Sequence, residues 1–133
     1  MGRYLDDART LYQEALNELD RWQLSQDTAL LRDAAEKAWR AVTQAANEVI
    51  AAHDRTVPHG ARARQSILRE LERENRQLRS LRLFDRFGNV EKLLHEECFY
   101  DGICALPLTS ELVTEEVKEY LDDVEQVTQS RRR

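Results

Sequence analysis

Apolar residues recur along most of this chain at three- and four-residue intervals, the period of an amphipathic helix. The clearest stretch is residues 30–53, LLRDAAEKAWRAVTQAANEVIAAH. On a helical wheel its apolar positions, running from Leu31 and Ala34 through Trp39 and Val42 to Val49 and Ile50, cover an arc of roughly 200°, twice the width of an ordinary surface stripe. A helix of that kind needs neighbours on two sides. Most of the arc is alanine, so the neighbours can approach closely, and Trp39 and Ile50 supply the bulk.

The flanking segments show narrower stripes. A first helix is expected over residues 3–24, with Leu5, Ala8, Tyr12, Ala15, Leu19 and Trp22 on one face, and Ser25 or Asp27 then caps the central helix. DRTVPHG is the clearest break, because Pro58 disfavours helix at Val57 and Gly60 adds a joint. A third helix over 61–78 buries Ile67, Leu71 and Leu78 and sets Arg62, Arg69, Arg73 and Arg76 within about 60° of one another on the far side, with Glu72 and Arg76 as an i, i+4 pair. A fourth, over 80–101, carries Gly88 and Asn89 and is expected to kink or restart there. GICALPL breaks the chain again, and Ser110 or Thr114 caps a last helix striped by Val113, Val117, Tyr120, Leu121 and Val124. Residues 128–133 read as a frayed tail. The pattern predicts one all-α domain over 1–133, an up-and-down antiparallel bundle of four long helices plus a shorter C-terminal fifth.

Composition narrows the setting. The 133 residues suffice for one core, two prolines and four glycines leave long uninterrupted stretches, and no sheet is expected. A net charge of −5 argues against general attraction to nucleic acid or an anionic membrane. No apolar run approaches the ~20 residues of a membrane span, and MGRYLDD lacks a signal-peptide core, so a cytoplasmic protein is expected. Cys98 and Cys104, too few and too close together for a secreted disulfide framework, read as reduced, core-filling thiols.

Chemistry-bearing residues are sparse. His53, Arg55 and His59 fall within seven residues at a helix end, followed by Arg62 and Arg64, and His with Arg can supply the acid, base and phosphate-binding cation of a metal-independent ribonuclease. A histidine at a helix carboxyl end also has a plainer use, as a cation suited to the dipole. No third ligand accompanies His53 and His59, so neither a metal nor a cofactor is expected. His95 reads as a partly buried, hydrogen-bonded group, and Trp39 and Tyr100 as core. The arginine stripe Arg62, Arg69, Arg73, Arg76 is a candidate binding surface for RNA or a nucleotide, though Glu70, Glu72 and Glu74 interleave with it.

Several short motifs occur in a telling order: Ala35-Glu36-Lys37-Ala38-Trp39-Arg40-Ala41, the Pro58-His59 link, Leu94-His95, and Phe99-Tyr100-Asp101-Gly102 ahead of an amphipathic closing helix. In this order they resemble the HEPN-like superfamily, especially its archaeal paREP-type branch. The resemblance implies a bundle of long helices, commonly a homodimer, in a superfamily where some members cleave RNA and others bind nucleotidyltransferase partners. Catalytic members carry an Arg followed after four to six residues by a His. This chain does not match that spacing, the nearest approach being Arg55 to His59 with three residues between. The expected function is therefore a non-catalytic homodimeric binding module for a protein partner, a nucleotide or RNA. The alternative is a metal-independent endoribonuclease or toxin–antitoxin component using Arg55 and His59.

Overall fold

A computed structural model describes residues 2–132; Met1 and Arg133 lie outside the described residues. Among the described residues all regular structure is helical. Helix α1 spans Arg3–Ser25 and α2 spans Thr28–Ala52. Helix α3 (Ala61–Glu74) and the short α4 (Arg76–Leu81) follow. Helix α5 starts at Leu83–Val90 and continues over Glu91–Tyr100 in the wider π winding. Helix α6 runs through Leu108–Glu111, a π turn at Leu112–Glu116, and Val117–Arg132.

Helix α2 is the axis of the fold, touching α1, α3, α5 and α6. Its carboxylate cap is Asp27, which accepts from the Ala29 amide at 3.0 Å. Ala34, Ala35, Ala38, Ala41, Ala45 and Ala46 are fully buried, so the wide apolar arc is consumed inside the chain. That removes it as a seam for a helix-to-helix dimer. Trp39 is 7 % exposed and meets the buried ring of Phe87 edge-on, with centroids 4.8 Å apart. Polar ties fix the other neighbours: Arg9 on α1 pairs with Asp122 and Glu125 on α6, and the Tyr12 hydroxyl donates to Thr114 O.

Several boundaries depart from expectation. The third helix stops at Glu74, because Asn75 turns extended (φ −133°, ψ 113°) and uses its side chain to cap α4, accepting from the Leu78 amide. Arg76 therefore belongs to another helix than Arg62, Arg69 and Arg73. The buried edge of α3 is Leu68 and Leu71 with Arg64, while Ile67 is only partly buried. The restart expected at Gly88 and Asn89 occurs instead at Arg82, which adopts a left-handed conformation (φ 54°). Glu72 then bonds the Phe84 amide at the start of α5 rather than Arg76, and its burial there raises its pKa. The last helix has no side-chain cap; Ser110 and Thr114 lie within it, and the Thr114 hydroxyl donates to Ser110 O. Far from being the short element, α6 runs over 108–132, and in place of fraying, Thr128 is 2 % exposed and Arg131 donates to Ala52 O.

One core group is out of balance. The Tyr120 hydroxyl is buried without a hydrogen-bond partner, and burial pushes its pKa upward. Removing a buried hydroxyl that has no partner takes away a desolvation cost and keeps the ring, including its contact with the Arg86 guanidinium 5.2 Å above it. Tyr120→Phe is accordingly expected to stabilise the fold by about 1 kcal/mol in urea unfolding. A loss of similar size would mean that the hydroxyl finds a partner in solution.

Candidate functional site

The α1–α2 turn, the π-wound half of α5 and the 101–107 turn converge at one end of the molecule. The site begins with Glu36 and Trp39, about one helical turn apart on α2. The His95 ring stacks on Trp39, with centroids 5.5 Å apart and planes at 27°, and its Nδ1 lies 2.7 Å from Glu36 Oε1. Phe99 and Tyr100 complete the surround at 6.3 Å and 5.5 Å from the histidine ring. In an α-helix the residues at i+3 and i+4 lie beside a ring at i. The π winding brings both i+4 and i+5 beside it, and such windings concentrate at functional sites. Since a carboxylate only accepts, His95 Nδ1 carries a proton. Nε2 is left as the second nitrogen, a base when the ring is neutral.

Arg32, one turn before Glu36, ties this cluster to the turn that follows. Its Nε donates to Phe99 O at 3.0 Å and a terminal nitrogen reaches Tyr100 O at 3.4 Å, supplying the helix end with donors its own backbone lacks. Gly102 sits beside the guanidinium with φ +73°, a conformation that costs an L side chain strain. Next in line is the bridge. Cys98, fully buried on α5, and Cys104, partly buried in the turn, form a disulfide. This corrects the expectation of reduced thiols, since α5 ends at Tyr100 and the chain doubles back so that the two Cα atoms stand 4.3 Å apart.

Beside the bridge opens a cavity of ≈ 290 Å³ lined by Trp22, Leu31, Arg32, Cys104 and Leu106 among others. Five large apolar side chains at or near this lining in sequence are exposed, Leu24 90 %, Tyr100 70 %, Ile103 66 %, Leu106 50 % and Leu108 41 %, with exposed Gln26, Asp27, Thr28 and Asp101 among them. Tyr100, expected in the core, is thus on the outside.

The catalytic candidates singled out from sequence lie elsewhere, His53 and Arg55 together in one cleft and His59 outside it. His53 and Arg55 line a cleft of ≈ 210 Å³ with Arg131 and Glu74, and Arg55 is paired with Glu70. His59 is exposed in the 53–60 link and has no bond to either. Arg64 is 6 % exposed, bonded to Asn47 Oδ1 at 2.7 Å and Pro58 O at 3.0 Å, and burial lowers its pKa. Arg62, Arg69, Arg73 and Arg76 are all exposed; Arg69 lies 5.4 Å over the Phe84 ring. Arg79, overlooked in the sequence pattern, closes the end of α3 by donating to Glu72 O and Arg73 O. Among the described residues, no group of three or more His, Cys, Asp or Glu could hold a metal ion, and no helix is long and apolar enough to cross a membrane.

His53 nevertheless has a measurable role. Its Nδ1–H donates to Val49 O at 2.8 Å, and burial lowers its pKa, partly offset by that bond. A histidine whose folded pKa lies below the unfolded value contributes stability above the unfolded pKa and loses it as pH falls through about 6.5 toward the folded value. Urea midpoints at about pH 7.5 and about pH 5.5 are expected to show lower stability at the acid end. His53→Asn, which keeps a donor and does not titrate, should flatten that slope; an unchanged slope would remove His53 from the account.

Compared with known proteins, the chain matches no family model, no curated protein and no solved structure.

Proposed function

We propose that this protein is a homodimeric helical module that works by contact, and that it pairs through the apolar end face. The observation that carries the reading is the juxtaposition of knob and hole. Leu24 and Ile103 project almost uncovered, and the cavity walled by Trp22, Leu31 and Leu106 opens beside them. Leu24 is two residues from Trp22, and Ile103 lies between two residues of the cavity wall, Gly102 and Cys104. A patch holding both a projection and a recess allows two copies related by a twofold axis to fill one another's recess. Exposed large apolar side chains gathered near a recess favour a contact site. The HEPN-like resemblance, which implies homodimers, agrees with it. The same reading takes the long helices as an up-and-down antiparallel bundle, supported by the two-residue link between α1 and α2. A further partner of nucleotidyltransferase type, a nucleotide or RNA would be held by the assembled dimer.

Sedimentation equilibrium tests the pairing. Wild type is expected to dimerise reversibly, and Ile103→Ala, which shortens the knob without adding charge, to weaken the dimer at least tenfold, a fall of about 1.4 kcal/mol. A chain that remains monomeric at every attainable concentration, or an Ile103→Ala dimer as tight as wild type, would overturn the proposal.

A further inference from the structure

We propose that the Cys98–Cys104 bridge is a redox clasp on the contact face, so that a thiol reductant loosens self-association. This rests on the dimer reading given above. The backbone of the 101–107 turn is thinly held: the Asp101 amide donates to Glu96 O at 3.0 Å, the Ile103 amide donates to Glu97 O at 2.8 Å, and Arg32 grips the carbonyls of Phe99 and Tyr100 before the turn begins. Thr109 recovers the chain afterwards by donating to Ala105 O. Between Ile103 and Ala105 the tether is covalent, through Cys104. The segment it pins carries Ile103 and Leu106, one a knob and the other a wall of the recess.

The two sulfurs differ in access. Cys98 is 0 % exposed, whereas Cys104 lies in the cavity wall beside Arg32. An incoming thiolate therefore attacks Cys104 Sγ, drawn by the guanidinium in the same cavity. The Sγ–Sγ bond breaks, the electron pair leaves on Cys98, and that sulfur takes up a proton in its apolar seat. A second thiol of the reductant then displaces Cys104, so the reductant becomes a disulfide and the protein a dithiol. A bridge with one reachable sulfur suits a reversible role.

Opening the clasp leaves the helices in place and frees the turn, so the knob and its recess lose their fixed spacing. The cost appears as the entropy of re-ordering that turn each time two copies meet.

The experiment compares the air-oxidised chain, the same chain in dithiothreitol, and Cys104→Ser, which opens the bridge at its accessible end and leaves the buried Cys98 sulfur seated. Two readouts are taken: the dimer dissociation constant by sedimentation equilibrium, and hydrogen exchange of the Ile103 amide by NMR. Reduction is expected to raise the dissociation constant at least tenfold and to speed Ile103 exchange at least tenfold. Cys104→Ser should match the reduced chain and ignore dithiothreitol. A dimer whose dissociation constant is unchanged by reduction overturns the clasp and leaves the dimer reading intact. A chain monomeric in both states overturns the dimer reading and, with it, a clasp acting on association. Unchanged Ile103 exchange, or thiols that stay free in air, overturns the clasp by itself.

Discussion

Phe87→Ala is expected to remove about 3–5 kcal/mol of stability, the range for deleting a fully buried aromatic side chain. The ring is 0 % exposed and stands edge-on to Trp39 at an interplanar angle of 61°, so the substitution leaves a void where α5 meets α2 and forfeits an aromatic pair worth about 0.5–1.5 kcal/mol in its own right. Neighbours that are already close-packed cannot collapse far into that void. The consequence should reach the candidate site, because the face of Trp39 supports His95. Urea unfolding followed by tryptophan fluorescence reads both effects. A loss below about 1 kcal/mol would show that the α2–α5 contact is far looser than the ring geometry describes.

The second large effect is expected at Glu48. This residue is 1 % exposed in the middle of the fold, and its carboxylate accepts from the Leu5 amide at 3.0 Å. Helix α1 has Gly2 at its N-cap and no side chain of its own to satisfy the first amides. Glu48 on α2 therefore provides the cap across the interface, with its negative charge at the positive end of the α1 dipole. A β-carbon at Gly2 would lie 2.2 Å from Glu48 Oε1, so a side chain there would have to displace the capping carboxylate. Glu48→Ala strips the acceptor from a buried amide and is expected to cost about 2–3 kcal/mol. Glu48→Gln retains an oxygen acceptor and should cost less than half as much. Equal losses for the two variants would shift the weight from the hydrogen bond to the charge itself.

Of these two positions, the sequence made the burial of Phe87 visible and that of Glu48 not. The central helix was readable because alanine at every third and fourth place leaves one interpretation, and Asp27 supplied its start. Phe87 fell on the expected stripe of the fourth segment. Glu48 did not stand out: a charged residue at the edge of an apolar arc reads as solvent-facing until its partner on another helix is known. The Asn75 break was hidden for a related reason. No proline or glycine marks it, and charged residues on both sides continue the helical pattern unbroken. Tyr100 was placed inside only because an aromatic in a helical bundle is core by default, and at the end of the π winding it stands outside. Glu36 and His95 stand 59 residues apart, and nothing in either neighbourhood announces the other. The bridge was misread because cysteines so few and so close suggest no disulfide framework, whereas the turn after Tyr100 brings them together.

The extended backbone at Asn75 also reorganises the molecule's electrostatics. A straight helix through that point would have laid Arg62, Arg69, Arg73 and Arg76 along a single rail of positive charge about 20 Å long at 1.5 Å of rise per residue. Bending the chain there derails the series after its third member, and Glu70, Arg79 and Asp85 are interposed around the junction. A long polyanion lying across this surface would meet separate cationic footholds with acids between them, so its grip would grow little with added length.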